Sequence, residues 1–181
     1  MSAQDTNGPI KPVKALLDAD RPGVLALIVG TEGPSYRPIG AMMAVFDDKR
    51  RVGSLSSGCV EADITQHALA ALDRARPTEL RYGRGSPYFD IQLPCGGGLD
   101  ILLLPHPDRM VLQHLVARHE GRETVTLSID TASGYLTLLA EGETGRTGDR
   151  FTLRIEPDLM VYTFGKGPEA RGFGALVQSL G

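Results

Sequence analysis

The stretch Val52-Gly53-Ser54-Leu55-Ser56-Ser57-Gly58-Cys59-Val60-Glu61 joins the end of an apolar strand to the opening of a helix through a run of small residues. Val52–Leu55 is predicted to be a returning strand. Val60–Arg74 is predicted to be a helix, because Ile64, Ala68, Leu69 and Leu72 recur on one face. Ser57 or Gly58 is expected to cap that helix. Upstream, Asp47–Arg50 reads as the hairpin turn that brings this strand back from Ala41–Phe46. Further upstream, Val24–Val29 is an unbroken apolar run of the kind found in buried strands. Gly30–Gly40, punctuated by glycine and proline, is a shaped loop between the two.

Downstream of the helix, Thr78–Tyr82 and Leu99–Leu104 read as strands around the Gly-, Ser- and Pro-rich loop Gly83–Leu93. Arg109–His119 reads as a helix, and Glu123–Ile129 and Tyr135–Ala140 as paired strands around Ala132-Ser133-Gly134. Phe151–Ile155 is a third strand after the polar stretch Glu141–Arg150. Met160–Phe164, Gly165–Ala170 and a helical run to Leu180 have the strand, glycine-rich turn and helix order of a dinucleotide fold. No second strand follows, and no acidic residue stands about 20 positions on to hold a ribose. The expected fold is α/β: a mixed sheet with flanking helices, then a short strand segment and an incomplete Rossmann-type βα unit. The expected division is a flexible tail at 1–11, an N-terminal domain at 12–120, a connecting strand segment at 121–157 and the βα unit at 158–181.

At 181 residues the chain is long enough for one domain with a real core. A net charge of −3 gives no electrostatic case for nucleic acid or an anionic membrane. No apolar run is long enough to span a bilayer, and the polar stretch Met1–Lys11 has no secretory h-region. Two cysteines are too few for a disulfide scaffold, so a reduced, cytoplasmic protein is the expectation. One bridge between them is equally compatible with the sequence.

Both cysteines sit among bare backbone. Cys59, at or just before a helix N-terminus, has a setting that favours its thiolate. Gly58 lets a ligand come close to the main chain, and Glu61 is near enough to accept a proton or hold a loop amide. Cys95 lies in Leu93-Pro94-Cys95-Gly96-Gly97-Gly98, where successive free amides suit an anion. A small buried cysteine under a turn accounts for either loop equally well. In Thr31–Gly40, Ser35, Tyr36 and Arg37 are polar candidates, and Arg37 suits a phosphate or carboxylate. Arg81, Arg84 and Ser86 form a further polar loop. The four histidines show no zinc-ligand spacing with the cysteines.

Taken in order, Gly33–Arg37, Gly40-Ala41-Met42-Met43, Gly53–Glu61 and Cys95-Gly96-Gly97 resemble the XdhC/CoxI family. The likeness covers about residues 12–107 and continues more weakly to Phe164-Gly165-Lys166-Gly167. The sequence departs from the family at Ser57, where glycine is common, and in Gly33-Pro34-Ser35-Tyr36-Arg37. The resemblance implies an accessory chaperone that binds the molybdenum cofactor (molybdopterin) and delivers it to a molybdenum hydroxylase such as xanthine dehydrogenase. It also implies a cysteine desulfurase as partner. On that basis Cys59, Cys95, Gly58, Gly96, Gly97, Ser35, Arg37 and Glu61 are the expected cofactor-binding residues, with Cys59 and Cys95 as metal ligands or sulfur relays. Such a protein is a maturation factor rather than a catalyst. The alternatives are a hydrolase or sulfurtransferase using Cys59 as nucleophile, and a docking scaffold without ligand. The apolar surface of an orphaned βα unit predicts a homo-oligomer.

Overall fold

The structure is a computed structural model that describes residues 8–56, 58, 60–86, 93 and 96–180. Its organising strand is β1 (Gly23–Glu32), with β2 (Met42–Phe46), β3 (Arg51–Gly53), β4 (Thr78–Gly83) and β5 (Gly98–Pro105) completing one sheet in the order β3-β2-β1-β5-β4. Side chains alternate across a strand, and both faces of β1 are covered. Val24, Ala26 and Ile28 pack in one core with helix α2 (Glu61–Arg74). Leu25, Leu27 and Val29 pack in a second core with helices α1 (Lys11–Asp18) and α3 (Arg109–Glu120).

A second sheet closes that other face. It consists of β6 (Val125–Asp130), β7 (Leu136–Leu139), β8 (Gly145–Thr147) and β9 (Arg150–Ile155), in the order β7-β6-β9-β8. Val125, Leu127, Ile129, Phe151 and Leu153 join the α1/α3 core, so residues beyond 120 share hydrophobic packing with the first sheet. Arg146 on β8 also reaches β4, donating from both terminal nitrogens to the Glu79 carboxylate at 2.7 and 2.8 Å.

The α/β class and the flanking helices are as expected, and four details differ. Every strand pairing among the described residues is antiparallel, so the first sheet is not mixed. A continuous apolar run marks burial on both faces, which β1 achieves here inside an antiparallel sheet. Residues 10 and 11, expected in a flexible tail, are ordered into the fold: Ile10 is buried at 2% exposure and Lys11 opens α1. Met160–Phe164 forms no strand: it pairs with neither sheet, and Leu159 and Phe164 are each 90% exposed. The helix that follows, α4 (Pro168–Leu180), does form, with proline at its first position. Finally, the polar stretch before Phe151 contains β8, an edge strand exposed along its length that carries no hydrophobic signal.

Candidate functional site

Strand register decides which loops meet. Glu32 at the end of β1 lies opposite Gly98 at the start of β5, and Gly83 at the end of β4 lies on the other side of Gly98. Leu27 pairs with Met42 at the start of β2, and Met43 pairs with Gly53 at the end of β3. The three loops at 33–41, 54–60 and 84–97 therefore all leave the same end of the five-stranded sheet. Cys59 belongs to the second loop and Cys95 to the third. Both cysteines, with Ser57, lie outside the described residues. Their described neighbours converge: Leu55, Val60 and Leu93 are buried in the one core beneath α2.

The second loop is wound around Glu61. Its Oε1 accepts hydrogen bonds from the Ser54 hydroxyl at 2.7 Å and from the amides of Leu55 and Ser56 at 3.1 and 2.8 Å. Its Oε2 accepts from the Ser56 hydroxyl at 2.5 Å and from the Val60 amide at 3.3 Å. Thr65 donates back to the Glu61 carbonyl at 2.6 Å, tying the first turn of α2 to the same residue. The side chain is 6% exposed. Burial by itself raises a carboxyl's pKa, but donation from the Ser56 and Ser54 hydroxyls and from backbone amides outweighs it and holds Glu61 at about 2. Glu61 is therefore an ionised, internally saturated anchor that shapes the cysteine loop. The N-cap position is Val60, with no side-chain cap on the helix, whereas Ser57 or Gly58 was the expectation. The carboxylate inside the first turn instead gathers donors from the loop that precedes the helix.

The first and third loops touch directly. A Cβ on Gly97 would overlap the Pro34 carbonyl and come within 3.0 Å of the Glu32 carbonyl, so only glycine permits this crossing. Arg81 clasps the same region. It donates to Asp100 at 2.8 Å, to Glu32 at 2.5 Å and to the Arg84 carbonyl at 2.8 Å. Arg81 thus has an internal structural role. Arg84 pairs with Glu32 at 3.6 Å.

The remaining candidates fall at this end of the sheet as well. Gly58 (φ +105°) and Gly96 (φ +70°) are exposed, with open space where a side chain would project. Ser35 is turned inward on its own loop, its hydroxyl donating to the Arg37 carbonyl at 2.7 Å. The Arg37 guanidinium is exposed. Among the described residues no group of three or more His, Cys, Asp or Glu side chains is arranged to hold a metal ion. His67 stands about 10 Å along the α2 axis from Val60, at 1.5 Å rise per residue, and lies 3.5 Å from Asp63. His106 lies at the opposite end of the sheet, just past β5, and His114 and His119 belong to α3 on the other face.

Known proteins resemble this chain. Residues 16–83 match the XdhC and CoxI family. The chain is 35% identical over 170 residues to the molybdenum cofactor insertion chaperone PaoD of Escherichia coli K12, covering 93% of this chain and 53% of PaoD. The segment 16–83 of the chain belongs to the XdhC and CoxI family. The chain is also 30% identical to a probable xanthine dehydrogenase subunit of Bacillus subtilis 168, over 86% of this chain and 56% of that protein. It thus spans about half the length of the curated relatives it matches. A crystal structure described as a xanthine dehydrogenase from Bacillus halodurans superposes with a TM-score of 0.69, over 83% of this chain and 53% of that one. At 24% identity that likeness concerns the fold alone. No helix among the described residues is long and apolar enough to cross a membrane.

The matched XdhC and CoxI segment contains β1, the first loop and the Glu61-centred loop, and ends where β4 ends. Two residues of this segment were missed as site-builders by reasoning from sequence: Ser54 and Ser56, which hold Glu61. The serines carried a signal, since hydroxyls just upstream of a glutamate in a helix's first turn are potential partners for it. Arg81 stood out as part of a polar loop, but its clasping role had no local signal, because its partners Glu32 and Asp100 are distant in sequence.

Proposed function

We propose that this protein binds the molybdenum cofactor as cargo and passes it to a molybdenum hydroxylase of the xanthine dehydrogenase type. One observation carries the reading: the loops that contain Cys59 and Cys95 leave the same end of one sheet, flanked by residues buried in a common core. That end combines what such a cargo needs. Gly58 and Gly96 are exposed with open space where a side chain would project, so a ligand can come close to the main chain there. Two thiols are soft donors suited to a metal held by sulfur. Glu61 acts as the positioning residue that fixes the Cys59 loop, and Gly97 and Ser35 keep the adjoining loops in register. The names of PaoD and of the Bacillus subtilis relative support both the cargo and the class of recipient.

Within this reading, a cysteine desulfurase supplies sulfur to the bound cofactor, and the protein works in the cytoplasm. Residues 12–120 form the cargo-binding domain, 121–157 a bracing segment and 158–181 an extended stretch that leads into α4. The exposed apolar side chains of Leu159, Tyr162 and Phe164 support self-association through that last unit.

The test is a transfer assay. Purified protein is loaded from a cofactor donor, desalted and mixed with cofactor-free hydroxylase, and molybdenum retention and recovered activity are followed. Cys59→Ala and Cys95→Ala should each lower retention, and the double variant should lower it further. Equal retention by wild type, both single variants and the double variant would remove the thiols from the site.

A further inference from the structure

A second feature lies beside the cysteine loops. A cleft of about 920 Å³ opens where the start of α1, the 37–41 loop, β3 and the end of β9 meet. Its walls carry Pro12, Pro38, Ile39, Leu153 and Ile155, and its rim reaches Gly53 and Ser54, the start of the loop that Glu61 holds. The second sheet shapes it directly, since Leu153 packs so closely on Gly40 that a Cβ there would overlap it.

The charge of the cleft is opposite to that of the chain. Four cations line it, Lys11, Arg37, Arg51 and Arg154, against the single carboxylate of Glu156, while the whole chain carries −3. Arg154 is engaged by Glu143 at 3.4 Å and Glu156 at 3.3 Å. The side chains of Lys11, Arg37 and Arg51 make no ion pair among the described residues. Among the described residues these three cations share the cleft with one carboxylate, Glu156, which Arg154 already engages, so they repel one another and an anionic ligand relieves that repulsion. A phosphomonoester carries about −1.5 to −2 at neutral pH, so three such cations exceed one phosphate and match a diphosphate. The volume lies within the range of small-molecule sites, and the apolar walls suit an organic body attached to the charged end.

We propose that this cleft is a binding subsite for a ligand bearing a diphosphate, with Arg37 and Arg51 as its principal anchors and Lys11 as a third. The ligand's organic part lies along the Pro38–Ile39 and Leu153–Ile155 walls. The subsite adjoins the cysteine loops through Ser54, and it rests on the carrier reading only for the identity of the natural ligand.

Isothermal titration of the full chain with pyrophosphate and with a nucleoside diphosphate tests it. Both should bind one per chain, the nucleotide more tightly, and both should weaken as salt rises. Arg37→Gln and Arg51→Gln should each weaken binding by about tenfold, the size of one lost charge-assisted hydrogen bond. Both side chains are exposed and make no ion pair among the described residues, so the variants should keep the wild-type circular dichroism. Arg76→Gln, at the far end of the sheet, should bind like wild type. Cys59→Ala should also bind diphosphate normally, which separates this subsite from the thiol site. Failure of wild type to bind either probe at low salt, or unchanged affinity in the Arg37→Gln/Arg51→Gln double variant, overturns the subsite and leaves the carrier reading standing. Normal diphosphate binding by a protein that never retains molybdenum keeps the subsite and overturns the carrier.

Discussion

Replacing Glu61 by glutamine should cost this protein much of its stability, in a way that depends on pH. The carboxylate accepts five hydrogen bonds from the Ser54–Val60 loop while nearly sealed from solvent. The difference between its ordinary pKa of 4.5 and about 2 in the fold is worth roughly 3 kcal/mol. Because the folded value is depressed, that stabilisation is fully present above pH 4.5 and is lost as pH falls toward 2. The amide of Glu61→Gln stands in for the protonated acid: it keeps the shape but cannot accept from every loop donor. Urea unfolding at pH 7 should therefore place the variant roughly 3 kcal/mol below wild type, a drop in Tm of about 6–12 °C for a chain this size. By pH 3 the gap should shrink to about 1 kcal/mol, since wild type has by then lost most of the same contribution. A gap that stays constant from pH 7 to pH 3, or one below about 1 kcal/mol at pH 7, would refute the assignment of Glu61 as the ionised anchor of the loop.

Two further perturbations test how the loops and sheets are held. Gly97→Ala drives a methyl group into the Pro34 carbonyl, which is backbone and cannot swing away; it should cost about 2–4 kcal/mol in urea unfolding. Gly145→Ala meets open space at ordinary φ and should stay within about 0.5 kcal/mol of wild type. The Arg146–Glu79 pair is more than a third exposed on both sides, so a double-mutant cycle with Arg146→Met and Glu79→Gln should give a coupling of only about 1 kcal/mol. A coupling above about 3 kcal/mol would mean that the pair, rather than the shared apolar core, holds the second sheet in place.

Local pattern carried the elements whose signal is hydrophobic. Val24–Val29, Leu99–Leu104 and the α2 face of Ile64 and Ala68 were legible because each is buried and apolar. β8 was not, since an exposed edge strand is held by its ladder to β9 and not by side-chain burial. Met160–Phe164 failed in the opposite sense: its residues suit a strand, but a strand exists only where a neighbour pairs with it. Strand direction was likewise illegible, because burial on two faces gives the same letters in parallel and antiparallel sheets.

The candidate site divides along the same line. Glycine, serine and cysteine in short loops mark where backbone is exposed to a ligand, and that much is written locally. Whether two such loops serve one ligand depends on register, which couples residues far apart in the chain: Met43 with Gly53, Glu32 with Gly98, Gly83 with Gly98. A shift of one residue in any of these ladders would exchange the inward and outward faces of a strand buried on both sides, so the two cores fix the register. Gly97 then admits the Pro34 carbonyl and brings the first and third loops into contact. Glu61 reaches the same result for the second loop by a different route, drawing together donors within seven residues of itself. The site is therefore built by long-range packing that sets which loops share an end, and by one buried carboxylate that sets the shape of the loop leading to Cys59. That is why Glu61→Gln and Gly97→Ala should disturb the site as strongly as substitution of either cysteine, while leaving both thiols in the chain.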